Sequence, residues 1–289
     1  MMSISELDEY SKGLGFTRGQ AEKDYMQYHA LLFIGRNTGN ELVFKGGTCL
    51  QKVFSLDRFS EDLDFTKFTG TPRATARGGM ESGELRKTPP ALAGGGITLE
   101  KGPEGNPRLA GLTGYFEALG YPARTTTGGQ RGGKDSFRML IEGPLFDGGP
   151  LSRCSISINI SFRGDLVREP VAKRLVPPYA EIPPLVVRHM DVGEILAEKV
   201  RALMTRDKAR DLYDIHFLLM KGIRPDRALV DAKLDYYDVR LTKQGLRDAI
   251  ASKKRIWKRE LSSLLASGPV DFDTVSTEVL ESMNVLLEK

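Results

Sequence analysis

Cysteine and histidine are scarce in this chain, two of one and three of the other in 289 residues. Cys49 and Cys154 have neither the number nor the spacing of a disulfide framework or a zinc site, and His29, His189 and His216 stand far apart. Thiolate and imidazole chemistry is thereby set aside, and reduced thiols and packing histidines are expected. Long apolar runs are missing too. No stretch approaches the roughly 20 residues of a membrane span, and residues 1–10 are polar and acidic, unlike a signal peptide. A cytoplasmic protein without a membrane partner is expected. Charge of one sign is also modest: the net +4 permits an RNA partner without demanding one. A chain of this length buries a sizeable core in one large or two modest domains.

What the sequence does contain is a pair of carboxylates in an informative setting. Residues 58–65 read Arg-Phe-Ser-Glu-Asp-Leu-Asp-Phe. If this stretch is a strand, Asp62 and Asp64 leave one face side by side while Leu63 and Phe65 turn to a core. Two acids so placed can share a divalent metal. Magnesium favours carboxylate, water and phosphate oxygens at about 2.0–2.1 Å, and two such ions about 3.5–4 Å apart can hold attacking and leaving oxygens.

Upstream, Glu41 to Lys45 reads as a short buried strand, and Gly46-Gly47 as a turn into a helix beginning near Thr48. Unpaired N–H groups at a helix start attract an anion, and glycine lets a phosphate come close. Thr48 can add a hydroxyl. This is not the P-loop, which needs Gly-Lys-Ser/Thr after a longer loop. Either signal alone is ordinary; strand, glycine turn, helix and Asp-x-Asp strand in succession make one unit for a nucleoside triphosphate and its magnesium.

Elsewhere, Gln20 to Arg36 has helical spacing with His29 on a packing face, and residues 70–107 form a glycine- and proline-rich insertion, a loop. A helical patch follows at Leu109 to Leu119, then a strand over Phe137 to Glu142. Ser155 to Phe162 alternates without a break, with Ile156, Ile158, Ile160 and Phe162 inward. Pro177-Pro178 and Pro183-Pro184 mark an extended connector, and everything after about His189 reads as helix, with Asp191 and Glu194 opening one helix and Asp211 and Asp214 neighbours on the next. The basic run Lys253 to Arg259 is either an RNA contact that stacks a base on Trp257 or a solvated helix face with Ile256 and Trp257 in a core.

Lys45-Gly46-Gly47-Thr48 followed by residues 58–65 resembles the first motif of the AbiEii/MenT-type nucleotidyltransferase toxins, a branch of the polymerase-β-like nucleotidyltransferase superfamily. Residues 22–25 are similar to the segment before that motif. Glu194, Glu198, Lys199, Arg201, Arg206 and residues 210–214 (Arg-Asp-Leu-Tyr-Asp) resemble the family's helical lysine and aspartate motifs in order and spacing.

The resemblance implies an α/β (α+β) fold. A polymerase-β-like core with a mixed sheet would span 1–188, a helical bundle 189–289, and the cleft would lie between them. It implies metal-dependent transfer of a nucleoside monophosphate from an NTP to an acceptor hydroxyl, the 3′ end of tRNA, halting translation. The chain would be the toxin of a toxin–antitoxin pair, with its antitoxin encoded nearby. Asp62 and Asp64 would hold Mg2+ or Mn2+; Gly46, Gly47, Thr48, Arg58 and Ser60 would bind nucleotide. Lys199 would meet the triphosphate, and Asp211 or Asp214 would orient or deprotonate the acceptor. In the superfamily the strand after the pair carries a third metal carboxylate; the position here is Asn159, which brings an amide oxygen but no charge. Two alternatives stay open: a small-molecule nucleotidyltransferase, and a nucleotide-binding interaction protein without catalysis.

Overall fold

The computed structural model describes residues 1–68, 70, 72, 109, 111–131 and 134–287, with the backbone alone for 127–131. The insertion expected over 70–107 lies, but for residues 70 and 72, outside the described residues.

Two helices, α1 (Ile4–Leu14) and α2 (Arg18–Thr38), lead into β1 (Leu42–Lys45), α3 (Gly46–Phe54) and β2 (Asp62–Lys67). Then come α4 (Leu112–Ala118), β3 (Ala123–Arg131), β4 (Lys134–Ile141), β5 (Cys154–Ser161), β6 (Val171–Leu175) and β7 (Leu185–His189). After β7 the longer elements are helices: α5 (Val192–Thr205), α6 (Ala209–Met220), α7 (Arg227–Asp235), α8 (Lys243–Lys253), α9 (Trp257–Leu261) and α10 (Phe272–Met283). The helix starts follow from local chemistry. Ser3 with Glu6 and Thr17 with Gln20 make reciprocal capping boxes, and Asp191 caps α5.

The strands form one mixed sheet in the order β3-β4-β5-β2-β1-β7-β6. β2 runs parallel to β5 and antiparallel to β1, which is parallel to β7. Leu63, Phe65, Ile156, Ile158 and Ile160 are buried as the alternation predicts. Each such side chain stabilises by roughly 1.5–3 kcal/mol against about 1 kcal/mol for a helix cap, so these five set the register. A one-residue slip would turn them all to the wrong face. Phe65, opposite Phe44, faces Leu31 and Ile34 of α2. Asp64, opposite Lys45, is thereby committed to the other face.

Three strands escape the sequence reading. β3 follows Tyr121-Pro122, whereas β6 and β7 flank the paired prolines. Pro177 to Pro184 therefore connects two strands of the sheet, not two domains, and β7 survives because Leu185, Val187 and His189 alternate inward. β4 begins three residues earlier than its apolar pattern, bringing Lys134 and Ser136 into the sheet. Cys49 and Cys154 are buried and unbridged, their thiols pushed up by burial. His29 is buried beside the Tyr115 hydroxyl, and burial lowers its imidazole to about 4. Trp257 is buried against Phe272 with its indole N–H on the Val270 carbonyl, so it offers no face to a base. No helix among the described residues is long and apolar enough to cross a membrane.

The helices attach to the sheet through charge as well as apolar contact. Lys45 Nζ donates to Glu198 Oε1 of α5 at 2.8 Å, and Lys233 of α7 reaches Glu194 at 2.5 Å and Glu198 at 3.7 Å. Glu194 also accepts the backbone N–H groups of Val167 and Arg168. Lys45 and Lys233 hold the Glu198 carboxyl far below its usual range, against the burial that would raise it. Removing one member of such a buried set strands its partners' charge. Glu198→Leu is expected to cost about 3–5 kcal/mol in urea unfolding, and adding Lys45→Met should recover part of the loss; an unchanged midpoint in the single variant would contradict the arrangement.

Candidate active site

The cleft is built around the start of β2. Asp62 and Asp64 share a face, with Ser157 and Asn159 of β5 beside them in register. The loop before them is held from three sides. Gln27 of α2 donates to the carbonyls of Ser60 and Glu61 at 3.0 and 2.8 Å, Gln51 of α3 accepts the Ser60 N–H at 3.0 Å, and the Phe59 N–H bonds the Leu264 carbonyl at 2.7 Å. Neither glutamine carried a sequence signal beyond being polar on an otherwise apolar helix face.

The glycines of the turn answer a steric demand. Gly46 has φ +78°, and a Cβ there would stand 2.5 Å from Asp64 Oδ2; one on Gly47 would stand 2.6 Å from Arg58 Nη2 and 2.7 Å from Ser60 Oγ. The turn thus makes room for the site's own side chains. Among the described residues no side-chain cap bond forms at the start of α3, and the first-turn N–H groups of a helix attract an anion. Thr48 is fully buried, its hydroxyl hydrogen-bonded to the Asp62 carbonyl and to the Ser60 hydroxyl. It braces the turn from beneath the cleft.

Opposite the carboxylates stands a cationic wall. Lys199 of α5 lies 2.7 Å from Asp214 and 3.4 Å from Asp211 of α6. Arg206 grips Asp211 through Nε and Nη2 at 2.6 and 2.7 Å, and Arg58 grips Asp214 in the same fork at 2.6 and 2.7 Å. Arg210 reaches Glu260 at 3.8 Å. Asp211 and Asp214 are wholly buried behind these cations and do not line the cleft. Burial would raise both carboxyls, but Lys199 and Arg206 hold Asp211 down at about 2, and Arg58 and Lys199 hold Asp214 low. Carboxylates so stabilised are weak proton acceptors and strong anchors.

The cavity between these walls measures about 360 Å3. Gly47, Ser60, Asp62, Asp64, Asn159, Lys199, Arg206, Arg210 and Lys134 all contribute to its lining. Sequence reading foresaw the acidic pair, the turn and Lys199; Lys134 and Ser136 entered only with the longer β4. Asp62 is pushed up, first by burial and then by the neighbouring Asp64 carboxylate. Asn159 donates to Asp64 Oδ1 at 3.0 Å while its own oxygen accepts from Ser136 at 2.7 Å. Among the described residues no group of three or more His, Cys, Asp or Glu could hold a metal. The acidic pair alone suits an ion whose other ligands are water and phosphate, and a cation there would offset both the burial and the Asp64 charge that raise Asp62.

Residues 33–278 match the family described as nucleotidyl transferase AbiEii toxin, type IV TA system. The chain belongs to that family. Solved structures share the fold of this chain. The nucleotidyltransferase toxin MenT4 of Mycobacterium tuberculosis superposes with a TM-score of 0.56 at 17% identity, covering 100% of this chain and 91% of that one. JHP933 from Helicobacter pylori gives 0.50 at 17% identity and 90% of each chain. A search of the curated proteins finds no match. Membership in the AbiEii family makes the chain a nucleotidyltransferase of the toxin–antitoxin kind, and the cleft is the candidate for its chemistry.

The two kinds of aspartate should respond oppositely to neutralisation. Asp62→Asn removes a repulsion, so the metal-free protein should melt higher by a degree or more; a lower Tm would contradict the raised carboxyl. Asp211→Asn should lose about 2 kcal/mol at neutral pH, since a carboxyl depressed from 3.8 to about 2 stabilises above its unfolded value. That contribution disappears as pH falls from about 4 to 2, so the variant's stability should fall less than the wild type's across that window. Parallel acid limbs in denaturant titrations would overturn it.

Proposed function

We propose that the cleft transfers a nucleoside monophosphate from an NTP, bound with Mg2+ or Mn2+, to the 3′ hydroxyl of a tRNA. The observation that carries this reading is the Asp62–Asp64 pair facing Lys199, Arg206 and Arg210 across a cavity that Gly47 helps to line. In this reading the N-terminal domain, 1–188, supplies the acidic pair and the glycine turn, and the helical domain, 189–289, supplies the cationic wall.

Asp62 and Asp64 would hold the divalent ion, whose chemistry when bound is to neutralise charge on the phosphoryl oxygens. The N–H groups at Gly46 and Gly47 receive phosphate oxygens, as helix starts do. Lys199, held in place by Asp211 and Asp214, meets the β- and γ-phosphates, with Arg206 and Arg210 beside it. Arg58, Ser60 and Thr48 act through the turn they support. The acceptor oxygen forms a bond to the α-phosphorus as the bond to the β-phosphate oxygen breaks, and pyrophosphate leaves with that electron pair toward the cations. The hydroxyl proton has Asp62, Asp64 and Glu61 within the same cleft, so Asp211 and Asp214 serve as anchors for the cations. Capping tRNA 3′ ends would halt translation, and a cognate antitoxin encoded nearby would restrain the toxin in the cytoplasm.

The test is to incubate the protein with magnesium, each α-labelled NTP and total tRNA, beside Asp62→Asn. Label on tRNA from the wild type alone is expected, the variant falling by at least ~100-fold, as for loss of a group acting on the transition state. Label transferred equally by Asp62→Asn would remove the metal assignment. NTP binding without labelled tRNA would move the acceptor to a small molecule, or leave a binding protein without catalysis.

A further inference from the structure

One charged corner of the molecule is left unused by the chemistry above. Arg163, just past β5, donates from Nη1 to the Tyr237 hydroxyl at 2.6 Å, and its guanidinium lies 4.7 Å from the Tyr236 ring centroid. Arg201 of α5 lies 4.9 Å from the Tyr237 ring. Lys134 opens β4 opposite Ser161 and borders the cleft. Burial would raise the Tyr237 phenol, yet Arg201, Arg163 and Lys134 hold it below its ordinary value, a sign that positive potential gathers there. The nearby Lys45 and Lys233 are matched by Glu198 and Glu194. Asp165 and Glu198 line the same recess as Arg201, Tyr236 and Tyr237, so acidic and basic groups meet there beside the tyrosines.

Its position and form point to an extended ligand. Lys134 belongs to the wall made by β4 and β5, whereas Gly47, Lys199, Arg206 and Arg210 come from α3, α5 and α6 and the turn between the last two. A triphosphate held by the second set leaves the first beside the acceptor. The cations come from β4, the stretch just past β5, and α5, and the tyrosines from the segment after α7. They are spread out rather than converging on one anion. Tyr236 is 51% exposed, and arginines stacked on tyrosine rings lose little freedom on engaging a phosphate. Cations spread beside an exposed aromatic suit a single-stranded nucleic acid.

We propose that Lys134, Arg163 and Arg201, gathered about Tyr236 and Tyr237, receive the phosphodiester backbone of the acceptor RNA as its 3′ end enters the cleft. This rests on the reading of an RNA acceptor. The contacts are to charge and aromatic faces, so the corner positions the strand without selecting its bases.

The test is fluorescence anisotropy of a labelled RNA hairpin with a single-stranded 3′ tail, titrated with full-length protein over a range of KCl concentrations. Lys134→Gln/Arg201→Gln should bind about 10-fold more weakly at low salt, and its log–log salt slope should be shallower by about 1.4, the value for two single-strand phosphate contacts. Lys134→Arg/Arg201→Lys should keep the wild-type slope, and thermal melts of both variants followed by circular dichroism report that the fold persists. The same Kd and slope in the charge-removing variant would overturn the proposal even if wild type labels tRNA. Wild-type protein that binds no RNA at low salt would overturn it together with the RNA-acceptor reading.

Discussion

The buried pair Asp211 and Asp214 is the interaction on which the site depends. These two carboxylates, with no exposure to solvent, collect Lys199 and Arg206 from α5 and its C-cap and Arg58 from the loop before β2. Desolvating four charged groups, Asp211, Asp214, Lys199 and Arg58, is expensive, and forked, fully bonded geometry is what makes it tolerable. Three cations on two anions leave an excess of positive charge. Of the three, Arg206 is the half-exposed one, so that excess is turned toward the cleft. A water-poor cleft with fixed positive charge is the setting in which a departing polyanion is best stabilised.

The other half of the site works against stability. Asp62 and Asp64 stand together at the start of β2, the central strand of the sheet, and Asp62 resists ionisation first because it is buried and then because the Asp64 carboxylate stands beside it. The fold tolerates this because β2 is pinned by Leu63 and Phe65 beneath and by Gln27 and Gln51 on the preceding loop. Asp211 and Asp214 are satisfied by protein cations, whereas Asp62 and Asp64 line the cleft. Asn159 fits the same division. Committed to Asp64 and Ser136, it orients the pair without adding a third negative charge.

Much of this was legible from local patterns. β2 and β5 declare themselves because period-two alternation is a short-range signal, and the glycine turn because few other residues could occupy it. β6 and β7 were hidden by Pro177 to Pro184, where the chemistry of a connector is also that of a long loop between paired strands. The role of Asp214 was out of reach for a different reason. Its partner Arg58 lies 156 residues away in sequence, and nothing in either neighbourhood announces the other. Trp257 shows the reverse, a conspicuous residue in a basic run whose indole the core claims.

The most direct measurement is a crystal structure with Mn2+ and a non-hydrolysable NTP, read through the anomalous signal of the metal. The account predicts a manganese peak between the carboxylates of Asp62 and Asp64, with the triphosphate running from the Gly46–Gly47 turn to Lys199. Manganese bound away from that pair, or phosphates lying clear of Lys199 in an occupied cleft, would contradict it.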